Sequence, residues 1–329
     1  MPFDKEFIEV LLEASDDYKE SMILDYTALE NHVPTKMYAD FVKANVNSPM
    51  YKTRIAPFEL FLLLHKEPNA WAWLHNDKYV MCIHLSLFKL IEKRVKDKLQ
   101  VLPEDCQQII SRCFFKEDEH ADYLIYQFAT VFTHYHELAH LFQFRNGEAG
   151  AATFERYNLT EGKEFDQLAH AMEIDADIFA AEHMNAHLFQ FWNTIPEDKK
   201  TKESLEARMS LQLVSTFILF FELSNGWREW YILNYDHPNP LIRVSYILDV
   251  LVQTANTNGQ KLDFEIDAKG VLTQALTLAN HFIVDDKKNG FDDFVKLFQE
   301  HSEEINDYLK AKMFPYMNEV AFLNCNNKG

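Results

Sequence analysis

Thr133-His-Tyr-His-Glu-Leu-Ala-His140 is the stretch that decides how this chain is read. It lies inside a long, strongly apolar run, about Ala121–Arg145, whose spacing predicts a helix stopped by Asn146-Gly147 in the manner of a left-handed cap. His136 and His140 stand four residues apart, so on a helix they return to within about 40° of each other, one turn along. Both imidazoles then leave one face and can share a single Zn²⁺, while Glu137 beside the first can reach water at the ion rather than the ion itself. This His-Glu-x-x-His spacing offers a Lewis acid and a general base together. Chance alone produces the pattern in roughly one chain in twenty of this composition, so its surroundings have to carry the argument.

A catalytic zinc takes three protein ligands and keeps one position for water. Gln143 and Asn146 occupy the places where an extended motif would put a glycine and a third histidine, which excludes that variant. A second predicted helix, roughly Lys163–Trp192, carries His170-Ala-Met-Glu173-Ile-Asp-Ala-Asp177-Ile-Phe-Ala180. Glu173, Ala176, Asp177 and Ala180 share one face, and the small alanines allow close approach to the first helix. Glu173 is thereby the expected third ligand, with Asp177 placed to accept the spare ring N–H of a ligand histidine. Two alternatives stay open: His170 as ligand instead of Glu173, and Asp177 as ligand rather than orienter. His134 points elsewhere on its helix and reads as structural. His183 and His187 repeat the four-residue spacing, but their acid, Glu182, precedes the first histidine, so they read as a packing or solvated face.

At this point the chain resembles the gluzincin metallopeptidases, which pair His-Glu-x-x-His on one helix with a Glu on the next. It is also similar to the membrane peptidases of the HtpX and CAAX-prenyl-protease kind, in which a His-Pro element and an Arg follow the Glu helix. Here that element is His237-Pro238-Asn-Pro-Leu-Ile-Arg243. The resemblance implies that His237 is an oxyanion-stabilising or water-displacing group near zinc and that Arg243 is a cation that organises the site. For the second oxyanion donor beside zinc, His237 is the first choice and Tyr235 or Arg243 the reserves. It covers roughly His134–Arg243. Those enzymes carry membrane spans and this chain has no apolar run long enough for one, so a soluble relative, such as the Lit-type phage-exclusion peptidases or another bacterial intracellular protease, is the nearer likeness.

Outward from the motif, Phe58–His65 reads as a short apolar helix and Lys78–Leu85 as a strand, bounded by Asn76-Asp77 and a candidate edge for an extended peptide. Ser86 is the expected cap of the helix after it. The first 55 residues read as amphipathic helices broken near Pro34 and Pro49. Further helices are expected at Leu205–Leu223 and Leu241–Ala255, with an aromatic turn after Asn225-Gly226 between them. Asn256-Thr-Asn-Gly259 reads as a linker, and helices with an acidic face follow it. Eight glycines and ten prolines in 329 residues leave little room for a β-sandwich or barrel. The expected fold class is α+β, mostly α: a zincin-like core with a small sheet over residues 76–256, an N-terminal helical region 1–75 and a C-terminal helical extension 257–329.

A formal charge of −19 argues against nucleic acid and anionic lipid as partners. Four cysteines without a C-x-x-C pair read as reduced thiols, and the acidic N-terminus is unlike a secretion signal, so a cytoplasmic location is expected. The functional expectation is a zinc-dependent endopeptidase that cleaves a protein or peptide, with Glu137 as general base. The alternatives are a latent defence or toxin protease that needs a trigger, and a non-catalytic protein whose zinc joins two helices. Oligomeric state and substrate identity are not legible in the sequence.

Overall fold

In the computed structural model, which describes residues 3–25, 33–46, 55–114, 119–146, 165–223, 230–235, 237–257, 262–283, 296, 298–320 and 323, helices surround one small sheet. The chain opens with α1 (Lys5–Glu13), capped by Asp4, whose carboxylate accepts from the Glu6 N–H at 2.9 Å. α2 (Val33–Val46) holds Pro34 in its first turn, where a missing N–H costs nothing, so this proline opens a helix rather than breaking one. Three strands follow: β1 (Phe58–Leu63), β2 (Ala70–His75) and β3 (Lys78–His84).

The sheet order is β1-β3-β2, with β1 parallel and β2 antiparallel to β3. Asn76 and Asp77 both have positive φ (48° and 59°), the backbone that a two-residue hairpin needs. Two expectations are corrected here. Phe58–Leu63 is a strand and not a helix: a short apolar run is ambiguous in period, and pairing with β3 decides it. β3 is the central strand, so it offers no free edge; β2 and β1 are the outer strands. The sheet thus joins residues on both sides of position 76.

Alternation places the two faces of the sheet in different cores. Leu60, Leu62, Ala70, Ala72, Met81 and Ile83 point into the helical body, whereas Phe61, Leu63, Val80 and Cys82 meet Phe7, Val10 and Leu11 of α1. At the end of β3 the backbone turns directly into α3 (Leu85–Leu99), with His84 in the capping position. Ser86 does not cap it; its hydroxyl donates to the Glu67 carbonyl at 2.8 Å.

α4 (Glu104–Cys113), α5 (Ala121–Asn146), α6 (Gln167–Trp192), α7 (Lys202–Leu223), α8 (Pro240–Thr257) and α9 (Ala268–Ile283) build the body. α5 is apolar all round because it is central: α6, α7, α3 and β2 all pack on it. α6 is sandwiched between α5 and α8, and its Ala176 and Ala180 are fully buried. A C-terminal helical segment, Ser302–Glu319, packs on α6. The expected Gly147 cap, the break near Pro49, Asn225-Gly226, Asn258-Gly259 and Cys325, one of the four cysteines, lie outside the described residues. Among the described residues no helix is long and apolar enough to cross a membrane.

Candidate metal centre

Two turns of α5 and one of α6 bring His136, His140 and Glu173 to a common point. The His136 and His140 Nε2 atoms are 3.2 Å apart. Glu173 reaches both, Oε1 lying 3.2 Å from His140 Nε2 and Oε2 3.4 Å from His136 Nε2. Ligands about 2.05 Å from a tetrahedral centre stand about 3.3 Å from one another, so the donor set is spaced as a group that could hold one metal ion. All three residues are buried. Burial by itself would raise the Glu173 carboxyl, yet His237, His136 and His140 hold it well below the usual carboxylate range.

Glu137 lies between the ligands in sequence and is also buried, with no hydrogen-bond partner on its Oε2. Burial raises its pKa, against the opposing pull of His136 and His140. An unsatisfied buried carboxylate oxygen beside two imidazoles is costly, which makes Glu137 a candidate for contact with a ligand.

Asp177 is fully buried one turn after Glu173, and its Oδ1 lies 2.9 Å from His136 Nδ1. Three other contacts hold it. Arg243 on α8 donates from Nε to Oδ2 at 2.8 Å and from a terminal nitrogen to Oδ1 at 2.7 Å, and the Tyr246 hydroxyl donates a short bond to Oδ2. Arg243 also stacks over the Phe220 ring at 4.0 Å and lies 3.6 Å from Glu173 Oε2. Burial would raise the Asp177 carboxyl, but Arg243 and His136 push it down. Arg243 therefore meets the ligand set chiefly through Asp177.

His237 stands at the rim, Nε2 3.7 Å from Glu173 Oε1, and is not one of the three converging donors. Its side chain is 13% exposed, against 7% for His136 and 5% for His140, so it marks the more open side. His170, the competing ligand, is spoken for: its Nδ1 meets the Tyr308 hydroxyl in a short bond and its Nε2 the Tyr235 carbonyl at 3.0 Å. It thus ties the C-terminal segment to the backbone just before His237, where Tyr235 takes a left-handed φ of 64°. His134 is structural, bonded through Nδ1 to the Tyr38 hydroxyl at 3.0 Å. His183 and His187 pack around Tyr135, whose hydroxyl meets His187 Nε2 at 2.7 Å.

Tyr246 and Tyr308 escaped the sequence reading. Tyr246 was within reach, three residues after Arg243 and hence on its face; Tyr308 was not, because only tertiary packing brings position 308 to position 170. No protein-family model matches the chain, and comparison with curated proteins and with solved structures returned no match either.

Proposed function

We propose that this chain is a zinc-dependent endopeptidase hydrolysing amide bonds of a protein or peptide, with His136, His140 and Glu173 as ligands. The convergence of these three donors beside a buried Glu137 whose Oε2 has no hydrogen-bond partner carries the reading. An ion held there would polarise a carbonyl and acidify water, which is the chemistry zinc supplies to hydrolases. Nitrogen and carboxylate donors at tetrahedral spacing suit zinc better than magnesium or calcium, which take oxygen ligands in larger number.

Glu137 serves as general base: it takes a proton from the attacking water and returns it to the leaving amine. Its buried setting favours a raised pKa, the direction that such a role needs. His237, approaching from the more open side, donates to the developing oxyanion. Arg243 and Tyr246 hold Asp177, and Asp177 holds His136. An extended substrate can add to β2, an outer strand that packs on α5, by main-chain hydrogen bonding. An ion that merely joined α5 to α6 would have no use for Glu137, which argues against a purely structural metal.

The test is direct. Purified protein should hold close to one equivalent of zinc, and His140→Ala should lose it. Glu137→Gln should keep the metal and lose peptide cleavage, since an amide cannot accept the proton. Cleavage that persists unchanged in Glu137→Gln would refute the assignment.

A further inference from the structure

Gln143 lies three residues after His140, at the place where the extended motif has glycine, and it is 1% exposed. Both ends of its side-chain amide are engaged. Nε2 donates to the Met172 carbonyl at 2.9 Å and to Asp175 Oδ2 at 2.9 Å, while Oε1 faces His140 Nδ1 at 2.8 Å. A backbone carbonyl can only accept, so the end of the amide that faces Met172 must be the nitrogen. The oxygen is thereby turned toward His140. An amide oxygen can only accept in its turn, so His140 Nδ1 must carry a proton, and in the neutral ring the Nε2 lone pair is then left for the centre shared with His136 and Glu173.

We infer that Gln143, anchored by Asp175 and the Met172 carbonyl, is a positioning residue that fixes the tautomer and ring orientation of His140. The two aspartates of Glu173-Ile-Asp175-Ala-Asp177 then divide the work. Asp177 meets His136 Nδ1 directly, at 2.9 Å, and Asp175 serves His140 through the Gln143 amide. One helix so presents a carboxylate to the ion and orients both imidazoles of the other helix. The consequence for zinc rests on the metal reading proposed above; the tautomer does not.

The experiment uses the full chain, and its first arm reads the tautomer by nitrogen-15 NMR of the histidine rings in chelator-treated protein. Wild type should show an exchange-protected His140 Nδ1–H, and Gln143→Met, which keeps the buried volume but neither polar end, should lose that protection. A wild-type His140 protonated on Nε2 alone, or protection unchanged in Gln143→Met, overturns the inference. The second arm measures zinc affinity by competition with a chromogenic chelator. Gln143→Met should weaken it about 10–100-fold, the usual effect of removing a group that orients a ligand. Asp175→Asn, whose amide oxygen still accepts from Gln143, should recover most of what Asp175→Ala loses. Equal affinity in wild type and Gln143→Met overturns the positioning role. Should Gln143→Met fail to fold, the wild-type tautomer and the Asp175 pair still decide. A wild-type protein that binds no zinc while showing the expected tautomer would sink the metal reading and leave the relay standing.

Discussion

Replacing Arg243 by methionine should cost the fold about 3–5 kcal/mol, the range for removing one partner of a buried ion pair. The size follows from what Asp177 would lose. It is fully buried, takes two charge-assisted bonds from the guanidinium at 2.7 and 2.8 Å, and would keep only Tyr246 and His136. Methionine preserves the packing on Phe220 but not the charge that stacks there at 4.0 Å. The assay is equilibrium urea unfolding with a chelator in excess, so that metal binding adds nothing to the measured stability. Asp177→Asn removes the buried charge, so the Arg243→Met, Asp177→Asn double variant should be less destabilised than the two single changes added together, by about 2 kcal/mol or more. Arg243→Lys should recover little, because an ammonium cannot span both carboxylate oxygens. A cost under about 1 kcal/mol for Arg243→Met, the value of an exposed pair, would refute the claim that this clamp is desolvated.

Treatment with a strong chelator should abolish peptide cleavage, and stoichiometric zinc should restore it; cleavage that survives the chelator would count against metal chemistry. Burial pushes the His183 ring down to about 4, so between that value and the unfolded pKa near 6.5 the unfolded chain binds more protons and stability falls with falling pH. The ring is partly exposed, so its share at pH 5 is about 1–2 kcal/mol relative to pH 7, and His183→Leu should lose that much less stability over the interval by urea titration. Cys82 and Cys113 are fully buried, which raises both thiols, the latter to about 12. Neither should react with a thiol reagent at pH 8 until urea unfolds the chain, as peptide mapping would report.

The helix pair was legible in sequence because its signals are local. The four-residue spacing of His136 and His140 and the shared face of Glu173 and Asp177 follow from helix geometry alone, and the apolar run around them marks α5 as central. Phe58–Leu63 was misread for the complementary reason: six apolar residues carry no decisive period, and the pairing partner that makes them a strand lies about twenty residues on, at Tyr79–His84. β2 was missed although Ala70-Trp-Ala-Trp73 alternates in size, because its burial depends on β3 on one side and α5 beneath.

What the sequence by itself determined is which residue types could meet a metal and on which faces of which helices they lie, since rotation per residue is a property of the backbone. Only the tertiary structure decided among competitors. It gave His170 to Tyr308 and Tyr235, joined Arg243 to Asp177 across α6 and α8, and turned Gln143 from a residue that merely excluded another motif into the partner of His140. Those choices depend on contacts between residues as much as 138 positions apart, and no local pattern encodes which buried donor will find which acceptor.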